Sequence, residues 1–410
     1  MKSPKHWAIF TNNNSKKDPF IQQLMKGKFP EPLSTLSERE GALFSKISLE
    51  KLIQEEDRHD IKIINKDTEQ RLSTMSSGEQ KKTLLKYLLQ LDPGFLILDN
   101  PFDNLDAESQ QALRARLQEV SKTTSIIQLL SRKGDLLPFC EQHLTLDVST
   151  LQPLENTAIE NQPKALFNGQ IPLPFQSNPY QDPILVECKN ISVTYGEKEV
   201  LNNINWTIKQ GEFWQLKGAN GSGKSTLLSM ITGDNHKGYN QELYLFGKRK
   251  GSGESVWDIK KNIGYYTPSM TDNFSGLHTA FNMVISGLND SIGLYLRSTE
   301  NQKALAKEWL LLLDMWHLRD VLFADLTRGQ QRMIMTARAM IKHPPLLILD
   351  EPTAGLDDES ASLFIALVNK IAAETHTAIV FVSHRTEPGL QPQYDYQLYP
   401  GPHGSTGEKL

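Results

Sequence analysis

Residues 218–225 read GANGSGKS, two glycines five positions apart followed by a lysine and a hydroxyl residue. This is the pattern G-x-x-x-x-G-K-[ST]. An apolar run precedes it, and KSTLLSMIT, a helix by its apolar spacing, follows. In that context the glycines let successive backbone N–H groups turn inward as an anion nest at the positive end of a helix. The chemistry is phosphate binding. Gly218, Ala219, Asn220, Gly221, Ser222, Gly223 and Thr226 would form the cradle. Lys224 would reach the β- and γ-phosphates of a nucleotide, and the Ser225 hydroxyl would hold Mg²⁺.

A second set lies at 346–357, LLILDEPTAGLD, a continuous apolar strand ending in two carboxylates. Asp350 would complete the Mg²⁺ shell through water, and Glu351 would orient and deprotonate an attacking water. An acidic strand end alone says little. Placed 126 residues after Lys224, it supplies the hydrolytic half of a nucleotide site.

The chain writes that strand twice: FLILDN at 95–100 matches LLILDE at 346–351, with Asn100 where the second has Glu351. Other spacings repeat as well. Trp7 and Lys17 are ten apart, as are Trp214 and Lys224, and Gly78 to Asp99 spans 21 positions, as does Gly329 to Asp350. A tandem duplication follows, with a first domain at 1–148, a Pro-rich linker at 149–183, a second domain at 184–400 and a frayed tail at 401–410. Short strands and hairpins over 184–216, helices at 224–232 and 301–315, and buried parallel strands at 346–350 and 378–383 make the second half α/β.

Bulk properties narrow the classes. A net charge of −4 leaves no basic footprint for nucleic acid as the main partner. Two cysteines, Cys140 and Cys188, exclude a disulfide framework and a Cys-rich metal site, and are expected reduced and buried. No apolar run approaches the roughly 20 residues of a membrane span. MKSPKHWAIF lacks a signal peptide's apolar core and cleavage site, so the expectation is a cytosolic chain, at the inner face of a membrane only through a partner.

The phosphate loop, LTRGQQR (326–332), LILDEPTAGLD and VSH (382–384) together resemble an ABC-type ATPase domain. The resemblance implies a three-layer α/β core with an antiparallel β subdomain and a helical subdomain, present twice with the first copy truncated. It implies ATP and Mg²⁺ as cofactors, and head-to-tail pairing in which each ATP lies between one phosphate loop and the other domain's signature segment. Carried over, Tyr195 would stack on adenine, Asp357 would lie in the loop coupling the sites, and His384 would contact the γ-phosphate. Residues 232–266 further resemble the ModF-like group of tandem ABC ATPases, the molybdenum-transport or photorepair ATP-binding proteins. That group's name implies a molybdate-type anion, though no residue here recognises one.

Departures from the pattern are informative. IGYYTPSM (263–270) has Thr267 and Ser269 where most transporter ATPases place a Gln that touches Mg²⁺ and the permease, and Thr327-Arg328-Gly329 stands where Ser-Gly-Gly is usual. In the first half, TNNNSKKD (11–18) aligns with the phosphate loop and retains Lys17, but every glycine is gone and Asp18 replaces the hydroxyl. Asn tolerates a left-handed backbone, so part of the turn could survive. Arg132, in LLSRKG, occupies the place of His384. From Lys17 to Gly78 is 61 residues against 105 from Lys224 to Gly329, so the helical subdomain is cut short. Yet LSTMSSGEQKK (72–82) keeps Ser76, Ser77, Gly78 and Glu79, close to a working signature as well as a helix cap.

The losses sort onto one side. One composite site has every residue type it needs: Lys224, Ser225, Asp350, Glu351 and His384 with Ser76, Ser77, Gly78 and Glu79. The other would use Asn13–Asp18, Asn100 and Arg132 with Thr327 and Arg328, and nearly every member is wrong. The expectation is an ATP hydrolase with one competent and one degenerate site, energising a separate membrane permease. The alternatives are a soluble ATP-gated switch on a ribosome or nucleic acid, and a regulatory ATP-binding protein with little turnover. A homodimer of second halves stays open beside intramolecular pairing.

Overall fold

The computed structural model describes residues 4–37, 39–59, 62–64, 70–154, 167, 169–174, 180–272, 274 and 276–410. It divides into two compact units, Met1–Gln162 with Gly355–Glu359, and Pro163–Ala354 with Ser360–Leu410. Most of the expected linker lies outside the described residues.

In the first unit the order is β1 (His6–Thr11), α1 (Lys17–Met25), β2 (Gly41–Phe44), α2 (Lys46–His59), α3 (Ser77–Gln90), β3 (Phe95–Asp99), α4 (Ala107–Val120), β4 (Ser125–Leu130), β5 (Gln142–Asp147) and β6 (Thr150–Pro153). These strands form one sheet in the order β2-β3-β4-β1-β5-β6. All neighbours run parallel except the terminal β5–β6 hairpin. The sheet is apolar on both faces, as a helix-covered parallel sheet requires. Trp7 and Ile9 pack with Phe20, Ile21 and Leu24 of α1 on one side, while Ala8 joins Leu84, Leu88 and Leu117 of α3 and α4 on the other.

The second unit adds what the first lacks. It runs β7 (Ile184–Tyr195), β8 (Lys198–Lys209), β9 (Phe213–Gly218), α5 (Lys224–Ile231), β10 (Glu242–Leu245), β11 (Lys248–Arg249), α6 (Val256–Lys260), β12 (Ile263–Tyr266), α7 (Ser269–Asp272), α8 (Ala280–Ser286), α9 (Glu300–Leu312) and α10 (Arg328–Met340). Then follow β13 (Leu346–Asp350), α11 (Asp358–Glu374), β14 (Ala378–Val382), β15 (Tyr394–Tyr399) and β16 (Thr406–Lys409). An antiparallel sheet of order β11-β10-β7-β8 accompanies a six-stranded sheet of order β12-β13-β14-β9-β15-β16. Replacing β9 by β1 and β12–β16 by β2–β6 turns the second order into the first. The fold is written twice, and among the described residues only the second copy carries the antiparallel sheet.

Two boundaries differ from expectation. Residues 150–153 belong to the first sheet as β6, because β5 offers them a free edge. The tail is not frayed: Thr406–Lys409 pairs with β15 from Tyr396↔Lys409 to Tyr399↔Thr406, and Ser405 exchanges backbone hydrogen bonds with Val200 and Asn202. Backbone pairing holds a segment whose polar sequence gives no strand signal.

Candidate nucleotide site

β9 delivers the chain into a loop that three left-handed or extended glycines shape, Gly218 (φ 156°), Gly221 (φ 76°) and Gly223 (φ 89°). A Cβ on Gly218 would fall 2.5 Å from Ser222 Oγ, and one on Gly223 would fall 2.6 Å from a Leu201 methyl. Only glycine fits this cradle. Among the described residues the buried Ser222 Oγ has no hydrogen-bond partner, and α5 opens at Gly223, whose cap is made by no side chain. These features fit a bound polyphosphate. The Lys224 ammonium is folded into the loop, donating to the carbonyls of Gly218 (2.8 Å) and Ala219 (3.0 Å), with His384 Nδ1 3.4 Å away.

β13 and β14 bring the carboxylates to the same loop. Asp350 closes β13 and pairs in register with Val382, and the next residue, Glu351, has φ 52° and donates its N–H to Val382 O at 3.0 Å. That left-handed step lifts the Glu351 side chain off the strand. Its Oε1 lies 3.0 Å from His384 Nε2 yet accepts no aligned hydrogen bond. Burial, with the Asp350 charge adding to it, pushes the Glu351 carboxyl up to about 7. Burial also raises Asp350, against the pull of the Lys224 charge. Tyr265 of β12, beside Asp350, is held in its neutral form chiefly by burial. Lys224, Asp350, Glu351 and His384 therefore converge. Ser225 and Asp350 are the groups that would hold Mg²⁺ arriving with a nucleotide; among the described residues no cluster of three or more His, Cys, Asp or Glu forms a metal site of its own.

The same positions in the first unit are arranged differently. None of residues 11–18 has a positive φ, and the loop's amides bond within the unit. Asn12 N–H donates to Ser15 Oγ, Asn13 to Asp357 Oδ2, Asn14 to Asn12 Oδ1, Ser15 to Asn12 O, Lys16 to Val148 O and Lys17 to Ser15 O, all at 2.6–3.1 Å. The turn that asparagines could have preserved is absent, because side-chain oxygens of Asn12 and Ser15 claim the donors. Lys17 Nζ, which in a phosphate loop would face the ligand, is 2.8 Å from Asp99 Oδ1. Asn100 keeps a left-handed backbone (φ 41°) like Glu351, but its Oδ1 accepts from Ser131 N–H (3.0 Å) and Ser131 Oγ (3.3 Å).

Strand register corrects one assignment. Trp7 pairs with Ile127 and Trp214 with Val380, so Ser131, not Arg132, stands where His384 stands. The connection between β3 and β4 is two residues shorter than that between β13 and β14, which slides the similar texts LSR and VSH out of step. Arg132 Nε instead donates to Leu356 O at 2.7 Å within the first unit.

Both signature segments are helix caps. Ser76 and Glu79 form a reciprocal capping box at the start of α3, and Ser77 Oγ donates to Asn104 O at 2.9 Å. Gly78 packs its α-carbon against Ser109, whose Oγ a Cβ would meet at 2.7 Å. Thr327 and Gln330 build the same box at α10, with Arg328 exposed in its first turn. Tyr195 ends β7 before the turn at Gly196 (φ 59°), and the residue is 40% exposed. Sequence reasoning missed its neighbours: Asn235 Nδ2 donates to Tyr195 Oη at 2.7 Å, and Lys237 Nζ is 5.5 Å from the ring centroid. Their only signal is position, just past the helix that the phosphate loop opens.

The ABC transporter family matches residues 201–354. The ABC transporter ATP-binding protein ModF of Escherichia coli (strain K12) is 38% identical over 335 residues, which cover 78% of this chain and 68% of ModF. The chain belongs to the ABC transporter ATP-binding family. The uncharacterized ABC transporter ATP-binding protein C323.04 of Schizosaccharomyces pombe is 31% identical over 76% of this chain and 65% of its own length. The chain thus spans about two thirds of both relatives. A solved assembly, a model of ribosome-bound archaeal Pelota and ABCE1, covers 99% of this chain and 74% of its own at TM-score 0.67 and 14% identity, a likeness of fold alone. No described helix is long and apolar enough to cross a membrane.

Proposed function

We propose that the chain is an ATP-hydrolysing subunit with one working site, whose ATP-driven closure energises a separate membrane permease. The observation that carries this reading is the contrast between two loops at the same place in one repeated fold. In the second unit glycines shape a cradle at the start of α5, and the Lys224 ammonium lies inside it on the carbonyls of Gly218 and Ala219. In the first unit the amides of residues 12–17 bond to protein oxygens and Lys17 contacts Asp99. ATP would bind the Gly218–Thr226 loop, with its base on Tyr195. Mg²⁺ held by Ser225 and Asp350 would offset charge on the phosphates. The first unit would contribute the helix N-terminus at Ser76–Glu79, whose positive end and hydroxyls suit a γ-phosphate.

Glu351 takes the role of general base. A carboxyl near 7 is matched to proton abstraction at neutral pH. His384, 3.0 Å from it, orients it and reaches the γ-phosphate side of the loop. Closure follows as a population shift: ATP stabilises the closed arrangement and hydrolysis releases it. The cargo we propose, from the resemblance to the ModF-like group, is a molybdate-type anion. A second reading, a soluble ATP-gated switch or regulator acting without a permease, is favoured by Thr267 and Ser269 standing where a Gln would couple the site to one.

The test is steady-state ATP hydrolysis by Lys224→Ala and Ser77→Arg, with Glu351→Gln as a trap. Both of the first two should lose turnover by at least 100-fold, an effect of roughly 3 kcal/mol. Activity retained in Ser77→Arg would sink the composite site. A membrane protein recovered with ATP-bound Glu351→Gln, and not with the nucleotide-free chain, would favour the permease over the soluble switch.

A further inference from the structure

Tyr195 is held, and the holding groups come from the far side of the phosphate-loop helix. Asn235 N–H donates to Ser229 O at 3.0 Å, fastening the residue to α5. Its side chain then makes three contacts: Nδ2 to Ser229 Oγ at 3.0 Å, Nδ2 to Tyr195 Oη at 2.7 Å, and Oδ1 from Lys237 N–H at 3.0 Å. Chemistry fixes the amide's orientation. Lys237 N–H can only donate, so Oδ1 must face it and Nδ2 must face the two hydroxyl oxygens. Tyr195 Oη is therefore the acceptor, and its own proton is left pointing outward.

The ring has little else to fix it. Tyr195 ends β7 at a two-residue turn and is partly exposed. Lys237 covers one face through its ammonium at 5.5 Å.

We infer that Asn235 is a positioning residue for the nucleotide base: with Lys237 behind the ring, it ties Tyr195 to α5, so base and phosphates are read by one rigid piece. This rests on the proposed stacking of the base on Tyr195. It implies a separable contribution, since Asn235 would act on the base and leave the triphosphate untouched.

The experiment compares a fluorescent ATP analogue with Mg²⁺-tripolyphosphate, which lacks a base, as a competing ligand on the full chain. Asn235→Ala and Tyr195→Phe should each weaken ATP about fivefold, the scale of one hydrogen bond, with tripolyphosphate affinity unchanged. Tyr195→Phe keeps the ring and leaves the Lys237 cap intact, so it guards against a folding defect in Asn235→Ala. The double variant should bind ATP no worse than Asn235→Ala, because both changes delete the same bond at Tyr195 Oη. Equal losses for ATP and tripolyphosphate in Asn235→Ala, or an unaltered ATP affinity in Tyr195→Phe, would overturn the inference. Tyr195→Ala separates the two layers: if ATP keeps its advantage over tripolyphosphate there, the stacking itself is wrong; if the advantage collapses while Asn235→Ala stays silent, only the positioning role falls.

Discussion

Lys17 and Lys224 occupy the same place in the repeated fold, and the structure gives them opposite consequences when lost. Lys17 lies 2.8 Å from Asp99, with side chains 23% and 9% exposed. Asp99 Oδ1 has no aligned hydrogen bond among the described residues, so the ammonium is what offsets its burial. Breaking a buried ion pair from one side costs about 3–5 kcal/mol. Because Lys17 reaches solvent, about 2–3 kcal/mol is the working figure for Lys17→Met, which keeps the alkyl stem. A unit of this size loses roughly 2–4 °C per kcal/mol, so its midpoint should fall by about 5–10 °C. Trp7 is the one tryptophan before residue 163. Its resonance in 5-fluorotryptophan-labelled protein, assigned with Trp7→Phe, follows the first unit alone by ¹⁹F NMR. Lys17→Met/Asp99→Asn should recover most of the loss, and ATP affinity should not change in either variant. Lys224→Met should reverse the pattern, with ATP affinity down at least tenfold and the Trp7 midpoint in place. Weakened ATP binding in Lys17→Met, or an unmoved Trp7 midpoint, would refute the assignment of Lys17 to an internal ion pair.

Three further outcomes can be checked. Asn100→Glu should give no added ATP hydrolysis and should destabilise the first unit by about 2 kcal/mol, since it sets a second carboxylate beside Asp99 at a left-handed position that Asn tolerates better; restored turnover would contradict it. His343 is pushed down to about 4 by burial. Its unfolded form takes up protons below pH 6.5 while the folded form does not, so stability is full above that pH and falls as pH drops toward 4. Between pH 7.5 and 5 the wild type should lose about 2 kcal/mol relative to His343→Asn, which tolerates the left-handed backbone at φ 50°; parallel denaturation curves at the two pH values would exclude this. Cys140 and Cys188 are buried with thiols pushed up to about 12, so neither should react with a thiol reagent at pH 8 before unfolding; rapid labelling in the native state would count against their burial.

Much of the candidate site's geometry was legible because it depends on glycine, charge and spacing. The doubling was readable from Trp7, Lys17, Gly78 and Asp99 against Trp214, Lys224, Gly329 and Asp350, since each marks a strand end or helix start that topology repeats. Register was not readable. Ser131 takes the His384 position because one connection is two residues shorter, and matched text hides such a slip. The self-bonding of residues 12–17 was also hidden, for it depends on Asn12 and Ser15 oxygens turning back on their own backbone. Asn235 gave no pattern at all: a lone asparagine after a helix reads as a turn residue until Tyr195 is seen against it.

The shared left-handed step at Asn100 and Glu351 makes the molecule its own reference experiment. Each residue follows an apolar parallel strand, donates its N–H to the neighbouring strand, and receives a backbone N–H at its side-chain oxygen from the residue one strand over. What differs is the charge. Paired substitutions at 100 and 351, measured in the same tube, therefore subtract the turn from the carboxylate, a comparison that ordinarily needs two proteins and a matched scaffold.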